Sequence, residues 1–460
     1  MIPHDDIRDV LNESGIGSDV TVYGWVRTAR MGKNVAFASI SDGSCQENLQ
    51  VVLNRKSFDD DSLKGLATGA AVRVCGTVVE SPGREQPREV HAEELEIIGP
   101  APEDYPLQKK KHTMEFLRTI PHLRLRSGIF GAVFRMRHHL SIAIHRFFDE
   151  RGFFYVHPPL ITASDAEGAG ETFQVTSLPL DAVPKRDGEV DYEQDYFRRK
   201  AFLSVSVQLE TEPLALALGK VYTFGPTFRA DPSDTRWHAS EFWMIEPEMA
   251  FYDLSDSMEL IEQFIGFIAS YMLDRCRDEI AFLDERVDAD VRDRYRMLTE
   301  EPFVRASYTE AVERLTEASN RFETRPRWGG GFSSEHERYL AGEVYGGPVF
   351  VTDYPAQAKP FYMRLNDDGK TAACTDLLFP EVGEIVGGSQ REERLDLLQE
   401  RIESMGIDRE DYRWYVETRR WGTAPHSGFG LGFERLLMYL TGIDNIRDVI
   451  PFPRTLGRMV

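Results

Sequence analysis

The sequence predicts an α+β protein of at least two domains: a small N-terminal β-barrel, then a larger domain built on a mostly antiparallel sheet flanked by helices. Three observations lead to this prediction. Residues 1–100 contain about five short segments that alternate between apolar and polar side chains, the pattern of half-buried strands. The chain has 460 residues, more than one ordinary domain holds. Beyond residue 127, helical patterns and strands follow each other without the regular βαβ rhythm of a parallel sheet.

The first domain is assigned to residues 1–100 because its predicted strands are short and closely spaced. These strands cover residues 21–27, 35–40, 49–53, 71–79 and 89–97. Five strands in about 100 residues suit a small closed barrel of the OB-fold type. A linker rich in proline and lysine, residues 101–126, separates this barrel from the second domain, residues 127–460.

The second domain begins with a strongly periodic segment, residues 129–151, which predicts a helix that ends at Gly152. An apolar segment follows and ends in Pro159. Periodicity predicts further long helices at about 253–276, 390–405 and 433–441.

The charge of the chain bears on nucleic-acid binding in two ways. A net charge of −22 argues by itself against such binding, because phosphates attract cations. Between residues 105 and 150, however, nine Lys and Arg stand against three acids, a local charge of +6. The nine cations are Lys109, Lys110, Lys111, Arg118, Arg124, Arg126, Arg135, Arg137 and Arg146. They predict a basic strip that can hold an RNA backbone on an acidic protein.

The composition also limits the compartment. No apolar run is long enough for a membrane span, and the acidic first residues lack the apolar core of a signal peptide. Four scattered cysteines predict neither a structural zinc site nor a disulfide framework, so a reducing, cytoplasmic location is expected. Cys374 is expected to be a small buried apolar residue.

Two arginine-bearing motifs contain most of the functional information. One is a glycine-rich strand that runs into an apolar helix, with the sequence Gly-Phe-Gly-Leu-Gly-Phe-Glu-Arg over residues 428–435. The other has the sequence Phe-Gly-Pro-Thr-Phe-Arg-Ala-Asp over residues 224–231, followed by His238 and by Glu-Phe-Trp at 241–243. Alternating glycines let a flat ligand lie against the backbone, and arginine can stack on a ring or bind a phosphate.

These motifs resemble motifs 3 and 2 of the class II aminoacyl-tRNA synthetases, and residues 134–159 resemble motif 1. The residues around them are similar to those of the asparaginyl-tRNA synthetases, and the resemblance covers nearly the whole chain. It implies an OB-fold barrel that binds the anticodon and a class II catalytic domain. It also implies a homodimer through residues 134–159, for which an ordinary amphipathic core helix is the alternative.

The resemblance implies an ATP site with two catalytic arginines, Arg229 and Arg435. Arg229 would contact the α-phosphate and the substrate carboxylate, and Phe242 and Arg435 would enclose the adenine. The implied ATP-binding set is Arg229, Asp231, His238, Glu241, Phe242, Glu384, Gly432 and Arg435. For His238, which would reach the γ-phosphate, an ordinary loop histidine is the alternative.

Two positions depart from the family pattern near this site. Asp231 stands where the family has glutamate. The family's Thr-x-Arg-His-Leu becomes Thr-Arg-Trp-His-Ala over residues 235–239, so that Arg236 comes one place early and Trp237 takes its position.

A Mg²⁺ site is implied by Asp376 and Glu384, since Mg²⁺ prefers a few carboxylates together with phosphate and water. The spacing of the two acids alone means little in a chain with 76 Asp and Glu. The matching segment that follows them, residues 387–392, supports the functional interpretation.

The amino-acid pocket is implied at four residues: Glu171, Gln208, Glu246 and Arg391. Glu171 follows the small residues of 166–170, which resemble a mobile loop that covers the amino acid; a glycine-rich surface turn is the alternative. Glu171 would reach the substrate ammonium and Arg391 the substrate side chain. Thr211 stands where aspartyl relatives have a lysine, and Glu246 where they have aspartate. A second substrate carboxylate would therefore lack a partner, which favours asparagine.

In the barrel, Phe37 is the candidate for stacking on an anticodon base and Gln50 for contacting a base edge. Core packing is the alternative for Phe37, and Trp25 is expected in the core.

Taken together, the resemblance implies an ATP-dependent asparagine–tRNA ligase with L-asparagine, ATP and tRNA(Asn) as substrates, Mg²⁺ as cofactor and no membrane partner. The nearest alternative is an aspartyl-tRNA synthetase, including one that charges both tRNAs. A second is a synthetase-derived ligase that forms an amide with ammonia, and the intact barrel argues against it. A third is a catalytically silent RNA-binding module, against which Arg229, Glu241 and Arg435 argue.

Overall fold

A computed structural model describes residues 4–83, 86–163, 171–408 and 410–459. The chain divides into two compact units, Met1–Phe134 and Arg135–Val460. The first contains a closed barrel and the second an eight-stranded sheet with helices, so the predicted α+β class is confirmed.

The barrel consists of the five strands that the alternation predicted. They are β1 (Asp19–Met31), β2 (Val35–Ser41), β3 (Leu49–Asn54), β4 (Ala71–Glu80) and β5 (Arg88–Gly99). They close in the order β1-β2-β3-β5-β4, and alternate side chains fill the interior. The short helices of this unit are α1 (Ile7–Asn12), α2 (Asp60–Gly65), α3 (Met114–Arg118) and α4 (Pro121–Arg124).

Trp25 is not in the core, so that prediction is wrong. In β1, Val22, Gly24 and Val26 face the barrel interior, and Trp25 has the opposite parity. Its side chain is 39% exposed and lies under the guanidinium of Arg126, 5.0 Å from the ring centroid. The period of two in a strand decides the face, whatever the size of the side chain.

The second unit is built on a sheet in the order β14-β15-β16-β17-β18-β13-β12-β6. Its strands are β6 (Phe154–Tyr155), β12 (Lys220–Phe228), β13 (Glu241–Ala250), β14 (Val304–Ser307), β15 (Val349–Thr352), β16 (Cys374–Phe379), β17 (Gly383–Gln390) and β18 (His426–Gly432). Neighbours are antiparallel except for β6 with β12 and β14 with β15, so the expected mostly antiparallel sheet is confirmed. Small additional pairings involve β7 (Ile161–Thr162), β8 (Gln174–Val175), β9 (Lys185–Arg186), β10 (Glu189–Val190) and β11 (Ala201–Leu203).

Ten helices of the described chain complete the fold. They are α5 (Gly128–Glu150), α6 (Gln208–Leu218), α7 (Leu254–Arg275), α8 (Arg277–Arg286), α9 (Val291–Glu300), α10 (Tyr308–Glu317), α11 (Ser334–Tyr339), α12 (Leu395–Ser404), α13 (Arg413–Arg420) and α14 (Phe433–Thr441). The helix predicted at 129–151 is α5, and Gly152 follows it with φ +72°, a conformation that glycine adopts without strain. The helix predicted at 390–405 begins only at Leu395, because β17 continues to Gln390.

The predicted basic strip is not a continuous surface, because several of its cations are structural. Arg124 is fully buried with its guanidinium 4.4 Å from the Phe130 ring centroid. Arg135 pairs with Glu279 at 2.7 Å, and Arg137 pairs with the buried Glu434 at 2.8 Å. The exposed members are Lys109, Lys110, Lys111 and Arg146. Sequence counts register charge but not the partners that cancel it.

All four cysteines are free, and Cys374 is fully buried in β16, as predicted. Among the helices of the described residues, none combines the length and apolar character that a membrane span requires.

Candidate active site

The β12–β13 hairpin positions the first catalytic candidate. Arg229 follows the last residue of β12, and its backbone N–H donates to the carbonyl of Ser240 at 3.1 Å. The Arg229 guanidinium lies 5.6 Å from the ring centroid of Phe242 on the neighbouring strand. The hairpin register therefore places a fixed cation beside a half-buried aromatic face.

The second arginine stands where β18 meets α14. Gly432 ends the strand and precedes the helix, and Arg435 lies in its first turn. The Arg435 Nη1 donates to the carbonyl of Glu384 at 3.1 Å. This bond fixes the guanidinium against β17, the strand that carries a predicted metal ligand.

A buried carboxylate joins the three motif regions. One oxygen of Glu434 accepts from Arg137 on α5 at 2.8 Å, and the other accepts from the backbone N–H of Trp243 on β13 at 2.9 Å. Since Glu434 is 1% exposed, both bonds are shielded from water. The residue next to Arg435 thereby fixes the relative positions of α5, β13 and α14.

The two arginines line one cavity of about 180 Å³. The predicted ATP residues on its wall are Arg229, Asp231, His238, Phe242, Glu384, Gly432 and Arg435. Glu241 is different: it is exposed at the start of β13 and is not among the lining residues. Seven of the eight predicted ATP residues therefore line one cavity, although about 200 positions separate Arg229 from Arg435 in the sequence.

His238 is held by its neighbours in the loop after β12. Its Nδ1 lies 2.6 Å from the Thr235 hydroxyl and 3.2 Å from the Ser233 hydroxyl. Burial, and then the charge of Arg435, lower the pKa of His238, so the ring is neutral at pH 7. Its Nε2 is the atom left for a ligand in the cavity.

The departure at Arg236 and Trp237 changes which side chain faces the cavity. Trp237 lines it, while the Arg236 guanidinium lies 4.9 Å from the indole centroid and 3.8 Å from the carboxylate of Asp444. Arg236 is not among the residues that line the cavity, and the indole of Trp237 takes a place on its wall.

A second cavity of about 540 Å³ adjoins the first and shares with it Arg229, Asp231, Met244, Glu384 and Gly430. Three of the four predicted amino-acid residues line it: Gln208, Glu246 and Arg391. The fourth, Glu171, is exposed and does not; its carbonyl accepts from the Ala230 N–H at 2.7 Å. The small-residue segment 166–170 lies outside the described residues.

The carboxylate of Glu246 is fixed by the segment before α6. It accepts from the hydroxyl of Ser206 and, at 3.4 Å, from the backbone N–H of Val207. Thr211 is fully buried, and its hydroxyl donates to the Val207 carbonyl at 2.7 Å. Thr211 therefore does not face the second cavity.

Arg391 is buried, and its guanidinium donates to two side chains that the sequence analysis did not identify as partners. Its Nε donates to Glu248 at 3.1 Å, its Nη2 donates to the other oxygen of Glu248, and its Nη1 donates to the Ser389 hydroxyl at 2.7 Å. Burial raises the pKa of Glu248 to about 7, although Arg391 acts in the opposite direction. The alternation of β13 places Glu246 and Glu248 on one face, a pattern that could have indicated the pair.

The two predicted metal ligands approach each other above Gly387. A Cβ built at this glycine would lie 3.0 Å from an oxygen of Glu384 and 3.7 Å from an oxygen of Asp376. Lys359, which the sequence analysis missed, pairs with both oxygens of Asp376 at 2.8 and 3.0 Å. Among the described side chains, no group of three or more His, Cys, Asp or Glu is arranged around a metal position.

A further missed acid, Glu337, stands behind this pair. Its carboxylate accepts from the Glu384 backbone N–H at 3.1 Å. Burial, followed by the charge of Glu384, raises its pKa to about 7. Burial and then Asp376 also raise the pKa of Glu384. Such repulsion is typical of a place that receives a cation, and two hard carboxylates with a glycine between them fit Mg²⁺, which takes its other ligands from phosphate and water.

On the barrel, Phe37 and Gln50 share the outer face of β2 and β3. Ala36 and Ala38 point inward, so Phe37 is half-buried outside the core, and the guanidinium of Arg30 lies 5.3 Å from its ring. The Gln50 amide donates to Glu89 at 2.8 Å. Of the two alternatives for Phe37, core packing is wrong.

Comparison with known proteins gives the family. A model of class II tRNA synthetases (D, K and N) matches residues 113–456, and a model of the OB-fold nucleic acid binding domain matches residues 20–98. The asparagine–tRNA ligase of Geobacter sulfurreducens is 55% identical over 98% of this chain and 97% of that protein. The enzyme of the same name from Thermosynechococcus vestitus is 54% identical over 98% of both chains.

The chain belongs to the asparagine–tRNA ligase family.

Solved structures of this family agree with that membership. The asparaginyl-tRNA synthetase of Pyrococcus horikoshii complexed with asparaginyl-adenylate is 32% identical to this chain and has a TM-score of 0.87. The match covers 100% of this chain and 99% of that structure's chain. The asparaginyl-tRNA synthetase of Entamoeba histolytica in complex with asparaginyl-adenylate is 26% identical over 98% of both chains, with a TM-score of 0.84. As a member of the asparagine–tRNA ligase family the chain is an ATP-dependent enzyme, and the aspartyl and amide-forming alternatives are less well supported.

Proposed function

We propose that the two joined cavities activate L-asparagine with ATP, and that the asparagine is then transferred to the 3′ end of tRNA(Asn). The observation that supports this most directly is the position of Arg229 on the wall that both cavities share. A carboxylate in the second cavity and a phosphate in the first would meet at this cation. Holding two reactants in line beside a fixed positive charge is what the activation step requires.

In the first step a carboxylate oxygen of asparagine attacks the α-phosphorus of ATP. The bond from that phosphorus to the bridging oxygen breaks, pyrophosphate leaves, and asparaginyl-adenylate remains. Arg229 neutralises the charge that develops on the α-phosphate oxygens. No nucleophile from the protein takes part, so the protein contributes position and charge.

The nucleotide lies in the first cavity. Phe242 and Arg435 hold the two faces of the adenine, because an aromatic ring and a planar guanidinium both stack on a base. Arg435 and His238 extend to the γ-phosphate, while Asp231 and the backbone at Gly432 complete the ATP contacts. Asp376 and Glu384 would hold Mg²⁺, which would supply charge neutralisation at the phosphates.

The amino acid lies in the second cavity. Gln208 binds its ammonium end, and Glu246 and Arg391 bind its side-chain amide. The carboxylate of Glu246 accepts from the amide NH₂, and it would repel the second carboxylate of aspartate. An unpaired buried charge costs several kcal/mol, which suffices for selection of asparagine without editing.

In the second step the terminal ribose hydroxyl of the tRNA takes the asparaginyl group and AMP leaves. We assign the anticodon contact to residues 1–100, with residues 101–126 as a linker and residues 127–460 as the catalytic domain. Phe37 provides a stacking surface for an anticodon base and Gln50 contacts a base edge, the two means by which unpaired bases are bound.

Charging of tRNA tests this assignment. The protein is expected to attach asparagine to tRNA(Asn), and Phe37→Ala is expected to raise the KM for tRNA about tenfold to 100-fold, the cost of one base stack. ATP–pyrophosphate exchange with asparagine is expected to stay within about twofold, because the cavities are unchanged. Ile98→Ala, which removes an exposed apolar side chain of the same barrel, is the matched control. An unchanged KM in Phe37→Ala would show that the ring does not bind the tRNA.

We assign the chain to cytoplasmic homodimers. The support for the dimer is an apolar surface around the motif 1 region: Ile142, Phe154 and Tyr155 are 43%, 54% and 40% exposed. Sedimentation of the full chain should give twice its 52.5 kDa, and a monomer mass would refute the dimer. Charging of tRNA for protein synthesis supports the cytoplasmic location.

A further inference from the structure

A buried cluster of charged side chains lies directly behind the second cavity. At its centre is Glu212 on α6, with no exposed surface. Its carboxylate accepts hydrogen bonds from Gln208 at 3.0 Å, from the Tyr415 hydroxyl at 2.8 Å, from Arg419 at 2.5 Å and from His426 at 3.1 Å. No part of the activation chemistry uses this residue, yet it is among the most thoroughly bonded carboxylates of the described chain.

Glu212 touches two residues of the asparagine site. Gln208, four residues earlier on the same helix, lines the cavity and donates to it. The Nε of Arg391 lies 3.9 Å from a Glu212 oxygen, while Nε and Nη2 of the same guanidinium donate to Glu248. Arg391 therefore stands between two buried carboxylates, one of which, Glu248, is already its hydrogen-bond partner.

We propose that Glu212 is a positioning residue that determines the choice of asparagine over aspartate. It fixes the orientation of the Gln208 amide and supplies a buried negative charge that makes the cavity unfavourable for a second substrate carboxylate. The inference deepens the proposed function, since it rests on Gln208 and Arg391 lining the asparagine site.

The first part of the argument concerns orientation. A carboxylate can only accept hydrogen bonds, so the amide NH₂ of Gln208 must face Glu212 and its oxygen must face away. Because Gln208 lines the cavity, that oxygen is the group it offers to the substrate. An acceptor in this place suits the substrate ammonium, which asparagine and aspartate share, so the choice between the two amino acids rests on the charge of Glu212.

The second part concerns charge. Within the cluster, Glu212 pairs with Arg419 and His426, and Glu248 pairs with Arg391. Burial alone would raise the pKa of Glu212, but Arg419, His426 and Arg391 outweigh it, and the pKa is lowered. Glu212 is therefore charged at neutral pH, and it offsets part of the positive charge of Arg391 and Arg419 behind the cavity. Without Glu212, Arg391 and Arg419 would face Glu248 alone, and the cluster would attract a substrate carboxylate.

The test measures ATP–pyrophosphate exchange of the full-length protein and of Glu212→Gln with asparagine and with aspartate. Glutamine has nearly the same shape; it removes the charge and replaces one acceptor oxygen by an NH₂ group. We expect the ratio of kcat/KM for asparagine to that for aspartate to fall roughly 10-fold to 100-fold, the effect of one buried charge at a distance of several Å. A rise in aspartate activity is expected to contribute to this fall. Parallel losses with both amino acids would show that Glu212 is only structural and would overturn the proposal.

A matched double variant distinguishes an effect of net charge from a structural effect of the substitution at Glu212. Glu212→Gln combined with Arg419→Gln returns the cluster to its wild-type net charge, so the ratio of this double variant is expected to return to within about threefold of the wild-type value. If the double variant discriminates no better than Glu212→Gln, charge is not the cause and the proposal fails.

Glu212→Asp provides a second route should Glu212→Gln not fold. It keeps the charge but shortens the side chain by one methylene, away from Gln208. Discrimination against aspartate is expected to remain, while the KM for asparagine rises about fivefold or more and kcat changes little. An unchanged KM for asparagine, or lost discrimination, would contradict the proposal. Wild-type protein inactive with asparagine would instead refute the proposed function, so the two failures are distinguishable.

Discussion

Replacing Arg435 by alanine is expected to lower kcat/KM for asparagine-dependent ATP–pyrophosphate exchange on the order of 100-fold to 1000-fold. The guanidinium lines the nucleotide cavity and is held by the Glu384 carbonyl at 3.1 Å, so it is fixed in advance of ATP binding. In the proposed site, its removal would take away one face of the adenine sandwich and a cation at the triphosphate together. Steady-state exchange, with ATP varied at saturating asparagine, measures the loss.

The control for Arg435→Ala is Arg296→Ala. Arg296 lies on the exposed side of α9, where its ion pair with Asp293 at 2.9 Å is solvated and contributes little. This variant is expected to retain exchange within about twofold. Thermal unfolding of both variants shows whether the fold is kept. Exchange in a folded Arg435→Ala at a rate close to that of the wild type would refute the assignment of the ATP site.

Gly428→Ala is expected to destabilise the protein by about 3–5 kcal/mol or to prevent folding, the cost of disrupting a buried ion pair. A Cβ at Gly428 would lie within 2.1 Å of a carboxylate oxygen of Glu248. That carboxylate is fully buried and bound to Arg391, so it has no free space into which to move. The first glycine of the β18 motif is therefore required by packing behind the asparagine site. Chemical denaturation of the variant measures the change in the free energy of unfolding.

Gly225→Ala serves as the comparison for this effect. Gly225 also lies inside a sheet strand, β12, but a Cβ there would meet no atom within 4 Å. The free energy of unfolding is expected to change by about 0.5 kcal/mol or less. Equal stability of the two variants would contradict the close contact between Gly428 and Glu248.

The sequence predicted the parts of the fold that local patterns determine. Alternation located the five barrel strands, and a period of 3.6 located α5 and α7. Apolar character alone predicts a core position for Trp25, but the alternation of β1 places its side chain on the outer face of the barrel. Periodicity extended α12 backward to residue 390, because the register of β17 with its neighbours, which ends at Gln390, is a long-range property.

Most of the site residues that were predicted from the sequence line the two cavities. Arg229, Phe242 and Arg435 line one cavity, and Gln208, Glu246 and Arg391 line the adjoining one. The supporting residues were missed because each acts across the fold. Lys359 reaches Asp376 from another segment, and Glu212 meets Arg419, about 200 positions later in the chain. Such partners carry no local signal, since an isolated Lys or Glu in a sequence is usually a solvated surface residue.

The same limit explains the basic strip. Three of its cations have partners in the folded protein: Arg124 packs on the ring of Phe130, Arg135 pairs with Glu279, and Arg137 pairs with Glu434. A count of charges along a segment measures the electrostatic attraction for RNA only when the side chains remain in solvent.

The most direct measurement is ATP–pyrophosphate exchange by the purified protein with Mg²⁺, comparing asparagine with aspartate in the absence of tRNA. The arrangement of Glu246, Glu248 and Arg391 predicts exchange with asparagine and a rate with aspartate lower by on the order of 100-fold or more. The proposed Mg²⁺ site at Asp376 and Glu384 predicts no exchange after chelation of the metal. Exchange with aspartate at a comparable rate would contradict the account of the cavity and would make the protein an aspartyl or dual-specificity enzyme. Exchange with neither amino acid would contradict the activation step itself.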